Sequence, residues 1–302
     1  MLQRDKRAPI AGDCVLSEDH ALPVVRTVAS LRAHLRPWRE KGLSVALAPT
    51  MGALHEGHLS LVRMARRQAD KVVASVFVNP RQFAPSEDFD AYPRQEIADA
   101  RLLAAEHCDL MYAPTPQEMY PPGFSTVVAV GGMSEVLCGA ARPGHFDGVA
   151  TVVTKLLAQT APDVAIFGEK DYQQLQLIRR MARDLDLRVE ILGAPIVRAP
   201  DGLALSSRNA YLTEAQRTRA PRLYAVLRET AAALTAGEAV EPAEVRAREA
   251  LARAGFERIE YLETRSGEDL SRVGPGPATA GARVFAAAWL GKTRLIDNVA
   301  VG

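Results

Sequence analysis

Two histidines three residues apart, in His55-Glu56-Gly57-His58, are the residues whose type and spacing most directly suggest chemistry. They stand at the mouth of a predicted helix, where unpaired main-chain N–H groups and the positive end of the helix dipole favour an anion. Two imidazoles there add side-chain donors to the same phosphate, so His-x-Gly-His reads as a nucleotide-binding element. Taken alone, the pair fits two surface residues at a helix start equally well. Zinc is a poorer reading, because a third protein ligand is needed and no cysteine or histidine cluster lies nearby.

Further along, Gly168-Glu169-Lys170-Asp171 follows an apolar run and carries charge into a second helix start. Ser206-Ser207-Arg208 puts two hydroxyls and a guanidinium in one loop, which suits a phosphate clamp. A helix cap beside a surface arginine explains the same loop. Arg142 opens a glycine-rich turn through Gly148 that either binds a carboxylate or only shapes the chain. Glu87, Asp88 and Asp90 form an acidic loop; without the full alternating ligand set of a calcium loop, it reads as solvated.

These residues need elements to hold them. The run Val45-Ala46-Leu47-Ala48 predicts a buried strand leading through a Pro and Gly turn into the histidine helix, whose apolar positions 59, 62 and 65 recur at helical spacing. Similar buried strands are predicted at 71–78, 110–112, 126–130, 164–167 and 189–192, with helices at 27–41, 95–107, 149–159 and from the turn at 168–174 through 183. Strands alternating with helices indicate an α/β fold, a Rossmann-like parallel sheet with helices on both faces. Ligands then sit at the carboxyl ends of the strands. Beyond residue 213 the pattern changes to helices at 214–236 and 242–254, strands at 258–264, 284–290 and 293–296, and a Pro/Gly loop at 274–281. That is a smaller α+β domain. The predicted division is a loose extension over 1–26, a Rossmann-like domain over 27–196 and a C-terminal domain over 197–302 that carries the Ser-Ser-Arg loop.

Composition narrows the function classes. The 302 residues carry a net charge of +1, so the basic footprint expected of a nucleic-acid binder is absent from the totals. Cys14, Cys108 and Cys138 are odd in number and unpatterned, which points to a reducing cytoplasm. No apolar stretch reaches the ~18 residues of a membrane helix. The first 25 residues are interrupted by Asp13, Cys14, Ser17, Glu18 and Asp19, unlike an export signal.

Six blocks in this order, PTMGALHEGH, FVNPRQF, RPGHFDGV, FGEKDYQQ, LSSRN and TRLIDN, resemble the pantoate–β-alanine ligase family from about Thr27 to Asn298. The histidine motif alone is shared with the wider class of adenylate-forming nucleotidyltransferases. The resemblance implies ATP-dependent condensation of (R)-pantoate with β-alanine through a pantoyl adenylate, giving pantothenate, AMP and diphosphate. It implies His58, His55, Lys170 and Arg208 as catalytic residues. It places ATP against Met51, Gly52, His55, His58, Gly168, Lys170, Asp171, Val197, Leu205, Ser206, Ser207 and Arg208, and the organic substrates against Gln82, Gln174 and Met51. Phe167 and Met51 would meet the geminal methyl groups. Mg²⁺ would arrive on the ATP phosphates with unknown protein ligands, and a cytoplasmic homodimer with neither nucleic-acid nor membrane partners is expected. Another small-carboxylate adenylating enzyme and a non-catalytic binding protein are the competing readings. Arg81 and Leu205 depart from the family's common apolar residue and methionine at those positions.

Overall fold

The computed structural model describes residues 14–15, 22–84, 89–90 and 92–302. Strands β1 (Cys14–Val15) and β2 (Val24–Val25) precede helix α1 (Val28–Glu40), then β3 (Val45–Thr50), α2 (Glu56–Gln68) and β4 (Lys71–Val76). They are followed by α3 (Glu96–Ala105), β5 (Leu110–Tyr112), α4 (Pro116–Met119), α5 (Cys138–Ala141) and α6 (His145–Thr160). Next come β6 (Val164–Gly168), α7 (Tyr172–Asp184) and β7 (Glu190–Ala194). The C-terminal part holds α8 (Glu214–Arg219), α9 (Arg222–Thr235), α10 (Val240–Arg253), β8 (Arg258–Ser266), β9 (Ala282–Leu290) and β10 (Thr293–Ala300).

The first sheet has the order β1-β2-β5-β4-β3-β6-β7, parallel from β2 through β7, with β1 antiparallel at its edge. Period-two alternation sorts its side chains onto two buried faces. Val45 and Leu47 face one core with α1, α6 and α7; Ala46 and Ala48 face the other with α2 and α3. The chain runs outward from β3 to β4 and β5, then returns to β6 on the other side of β3. That reversal leaves a crevice above the carboxyl ends of β3 and β6, where open α/β sheets bind ligands.

The antiparallel sheet β10-β9-β8 repeats the sorting. Val284, Ala286, Ala288 and Leu290 pack under α9 and α10, whereas Phe285 and Ala287 join the core of the first sheet. The C-terminal sheet is thereby fastened to the Rossmann-like part through shared apolar contacts, and the crevice gains a second wall.

Four expectations change. The segment 126–130 is extended but belongs to no strand: Val128 N–H is taken by Thr151 Oγ1 at 3.0 Å, Val127 is 53% exposed, and only Val130 is buried. The long helix at 214–236 is two helices, because Pro221 has no N–H to continue the first one. The helix expected at Val149 starts at His145, inside the turn read as a loop. The sheet begins before Thr27, because Val24 and Val25 are buried and pair with β5. Glu87 and Asp88 of the acidic loop, like residues 1–13 and 16–21 of the extension, lie outside the described residues.

Candidate active site

The turn between β3 and α2 depends on backbone conformations that need holding. Gly52 and Ala53 have φ of +81° and +51°. Both oxygens of the buried Asp99 accept main-chain hydrogen bonds there, from Ala53 N–H at 3.0 Å and Leu54 N–H at 2.9 Å. A Cβ on Gly52 would stand 2.9 Å from Asp99 Oδ2, so glycine makes room for the carboxylate. Gly52 itself is buried behind the cavity wall rather than in it.

His55 is the N-cap of α2, and its Nδ1 accepts the Gly57 N–H at 3.1 Å. His58 closes the capping box by accepting His55 N–H on its own Nδ1 at 3.4 Å. The rings lie 4.1 Å apart between centroids. A Cβ on Gly57 would approach His55 Cε1 to 2.9 Å, which explains the residue between the histidines. A ring nitrogen that accepts a main-chain N–H carries no proton, so each neutral imidazole keeps its proton on Nε2. Burial, and then the cation Lys170, lowers His55 to about 4. Burial, followed by the charge of His55, lowers His58 to about 3. Both are neutral donors at pH 7.

The two histidines line a cavity of about 230 Å³ together with Met51, Gln82, Gly168, Lys170, Asp171, Gln174, Val197, Leu205, Ser206, Ser207 and Arg208. Phe167, Phe77 and Val149 supply apolar wall. A second chamber of about 360 Å³ opens against the C-terminal sheet and shares Lys170, Asp171, Gln174, Ser206 and Arg208 with the first. Every residue expected from the sequence at an ATP or organic-acid site, Gly52 excepted, thus converges on one cleft.

The TRLIDN block explains how its two charged loops are held. Asp297 makes a bidentate pair with Arg198, at 2.6 and 2.8 Å, at the base of the turn that leads into Ser206. Asn298 Nδ2 donates to the carbonyls of Glu169 and Lys170 at 2.9 and 3.1 Å. Adjacent residues of β10 therefore fix the turn carrying Lys170 and the root of the Ser-Ser-Arg loop. Ser206 Oγ accepts Arg208 N–H at 3.3 Å, and Ser207 Oγ is 3.3 Å from the hydroxyl of Tyr92.

Gln82 is clamped from behind. Its carbonyl accepts from Arg142 Nη2 at 3.2 Å and pairs with His145 Nδ1 at 2.8 Å. Arg142 also donates to His145 Nε2 at 3.0 Å, which places the His145 proton on Nδ1, toward Gln82. A Cβ on Gly148 would lie 2.2 Å from the Arg81 carbonyl, so glycine lets α6 approach this segment. Arg81 turns away from the cavity and lies over Tyr120 and Phe124, 5.3 and 5.2 Å from their centroids. Its charge does not face the cavity beside Gln82.

Asp99, Asp297 and Asn298 hold the site but were not identified as doing so from the sequence. Asp99 lies in the first turn of α3, where an acid reads as an ordinary solvated partner of the helix dipole. Among the described residues, no group of three or more His, Cys, Asp and Glu is arranged to hold a metal, and no helix is long and apolar enough to cross a membrane.

The chain is similar over nearly its whole length to known proteins. The family model for pantoate-beta-alanine ligase matches residues 23–300. The chain is 62% identical over 280 residues to the pantothenate synthetase of Caulobacter vibrioides, covering 92% of this chain and 98% of that one. It is 56% identical over 281 residues to that of Rhodospirillum rubrum, covering 93% and 99%. The crystal structure of pantothenate synthetase from Thermus thermophilus matches with a TM-score of 0.87 and 48% identity, over 92% of this chain and 99% of that one. The ligase from Francisella tularensis, complexed with beta-gamma ATP and beta-alanine, matches with a TM-score of 0.76 and 33% identity, over 92% and 97%. The chain belongs to the pantoate–β-alanine ligase family, the pantothenate synthetases.

Proposed function

We propose that this cleft forms pantothenate from (R)-pantoate and β-alanine in two steps, each using the residues gathered at the β3 and β6 ends. The overall activity, amide-bond formation between these substrates, is that of the family. In the first step a pantoate carboxylate oxygen attacks the α-phosphorus of ATP and diphosphate leaves. In the second, the amine of β-alanine attacks the acyl carbon of the adenylate, loses a proton and expels AMP.

The observation that carries this reading is the main-chain N–H at Nδ1 of each histidine, which fixes the tautomer of both. With Nδ1 of each ring occupied by a main-chain N–H, both offer Nε2–H donors from a helix N-terminus that already favours an anion. Donors fixed before the reaction stabilise charge developing on the phosphoryl oxygens without reorganising. Lys170, Ser206, Ser207 and Arg208 serve the rest of the triphosphate. Gln82 and Gln174 hold pantoate through neutral amides, which leave its carboxylate nucleophilic where an ammonium would blunt it. The apolar wall of Met51 and Phe167 suits the geminal methyl groups.

Mg²⁺ fits as a companion of ATP. Among the described residues, the acidic side chain in the wall of the cavity of about 230 Å³ is the half-exposed Asp171, whose salt-bridge partner is Lys170 at 3.9 Å, a donor set that suits a hydrated, phosphate-bound ion better than a protein cage. When bound, the ion neutralises phosphate charge. We further propose a homodimer, supported by the exposed apolar run around Val127, and a cytoplasmic setting, where the buried free thiols Cys108 and Cys138 stay reduced.

ATP–diphosphate exchange against a panel of carboxylic acids tests the substrate assignment. Pantoate is expected to support exchange. If it fails while another hydroxy acid succeeds, the assignment of Gln82 and Gln174 to pantoate is wrong.

A further inference from the structure

The orientation of the Gln82 amide can be derived from its neighbours. The side-chain amide of the fully buried Asn79 lies behind it. Asn79 Oδ1 receives the main-chain N–H of Arg81 at 3.3 Å, a group that only donates. Asn79 Nδ2 meets the carbonyl of Gly148 at 3.1 Å, a group that only accepts. Reversing this amide would set donor against donor and oxygen against oxygen at a side chain buried from solvent. Its second Nδ2 proton therefore goes to Gln82 Oε1 at 3.1 Å, which leaves Gln82 Nε2 beside Met51 Sδ at 3.1 Å on the cavity side. The cavity meets an N–H donor and not a carbonyl.

The shortest bond around the Asn79 amide comes from outside the cavity. Tyr120 donates its hydroxyl to Asn79 Oδ1 at 2.8 Å. Tyr120 directly follows α4 and lines a separate surface groove with Arg81 and Phe124. Its ring is held between Phe77 and Phe124, at 6.2 and 5.1 Å, with the Arg81 guanidinium 5.3 Å from its centroid. Burial raises its phenol to about 12, so the hydroxyl keeps its proton at neutral pH.

We propose that Tyr120 is a positioning residue for the pantoate subsite: through Asn79 it holds the Gln82 amide with Nε2–H toward the cavity, set to bind an acceptor oxygen of the hydroxy acid. The inference rests on the assignment of Gln82 to pantoate. A wall amide free to turn would present donor and acceptor faces alternately, and part of the binding energy would go to fixing it. The relay removes that cost before the substrate arrives, and Tyr120 itself does not line the cavity. Arg81, the departure from the family's common residue, belongs to the packing that holds the Tyr120 ring.

The test uses Tyr120→Phe, which keeps the ring and removes the hydroxyl. In pantoate-dependent ATP–diphosphate exchange, the KM for pantoate should rise about 3–10-fold, the range of one neutral hydrogen bond, with the KM for ATP unchanged. Gln82→Ala should also raise the pantoate KM, and adding Tyr120→Phe to Gln82→Ala or to Asn79→Ala should raise it no further. An unchanged pantoate KM in Tyr120→Phe, with Gln82→Ala impaired, overturns the relay alone. An unimpaired Gln82→Ala overturns the pantoate assignment and the inference together. Effects of Tyr120→Phe that add in full to Gln82→Ala, or that fall equally on ATP, would show that Tyr120 acts through the fold.

Discussion

Asp99→Asn separates the architecture of the histidine turn from its chemistry, because Asp99 lines neither chamber yet bonds two main-chain groups immediately before His55. Asparagine keeps one acceptor and turns an NH₂ toward the other N–H. One charge-assisted bond is lost, roughly 1.5–3 kcal/mol, and a buried donor is left facing a donor. Working against this, the substitution removes the cost of burying a charged carboxylate, the burial that raises the Asp99 pKa. The expected net loss is about 1–3 kcal/mol in urea unfolding. The turn also carries two left-handed residues, Gly52 and Ala53, that no longer have both restraints. A shift of about 1 Å at the His55 cap should lower the exchange rate about 100-fold, more than the stability loss accounts for while the protein remains folded. Stability within about 0.5 kcal/mol of the parent together with full exchange activity would refute the claim that Asp99 holds the turn.

Gly57→Ala gives the converse pattern. The new methyl displaces the His55 ring and costs about 1 kcal/mol of capping, while alanine regains about 1 kcal/mol of helix propensity. Unfolding should therefore change little while exchange falls about 10-fold or more; retained exchange would show that the His55 ring position is unimportant. The histidines should also register in pH. Their folded values, about 4 and about 3, lie below the ordinary 6.5, so the stability they contribute is present above about 6.5 and declines as pH falls toward those values. Nitrogen NMR should find both rings neutral and protonated on Nε2 at pH 7; a proton on Nδ1 would contradict the derived tautomer, and a His58 resonance titrating near 6.5 would contradict its lowered value.

The helix entry at His55 was legible because strand, glycine turn and apolar period all agree over residues 45–65. Buried strands such as Val164–Gly168 were legible because parallel strands covered on both faces are apolar throughout. Residues 126–130 have the same composition, but composition does not report that Thr151 rather than a neighbouring strand takes the Val128 N–H. The family blocks locate residues that line the cleft, including TRLIDN, without revealing why Asp297 and Asn298 matter; their partners, Arg198 and the carbonyls of Glu169 and Lys170, are about a hundred residues away or more. Tyr120 and Asp99 likewise act across 41 and about 45 positions of sequence. Such couplings are set by the packing of elements far apart in the chain, β10 against the turn after β6 and the segments around α3 and α4 against the turns after β3 and β4, which no local window contains.

The central claim is that His58 serves charge developing on the phosphates, and it is tested most directly by timing the two half-reactions of His58→Ala separately. Single-turnover adenylate formation from ATP and pantoate should slow about 10²–10³-fold, the usual effect of removing one such donor. Capture of supplied pantoyl adenylate by β-alanine should slow clearly less, since no diphosphate departs in that step. Equal losses in both half-reactions would contradict the account and assign His58 to the common AMP phosphate or to the architecture of the turn.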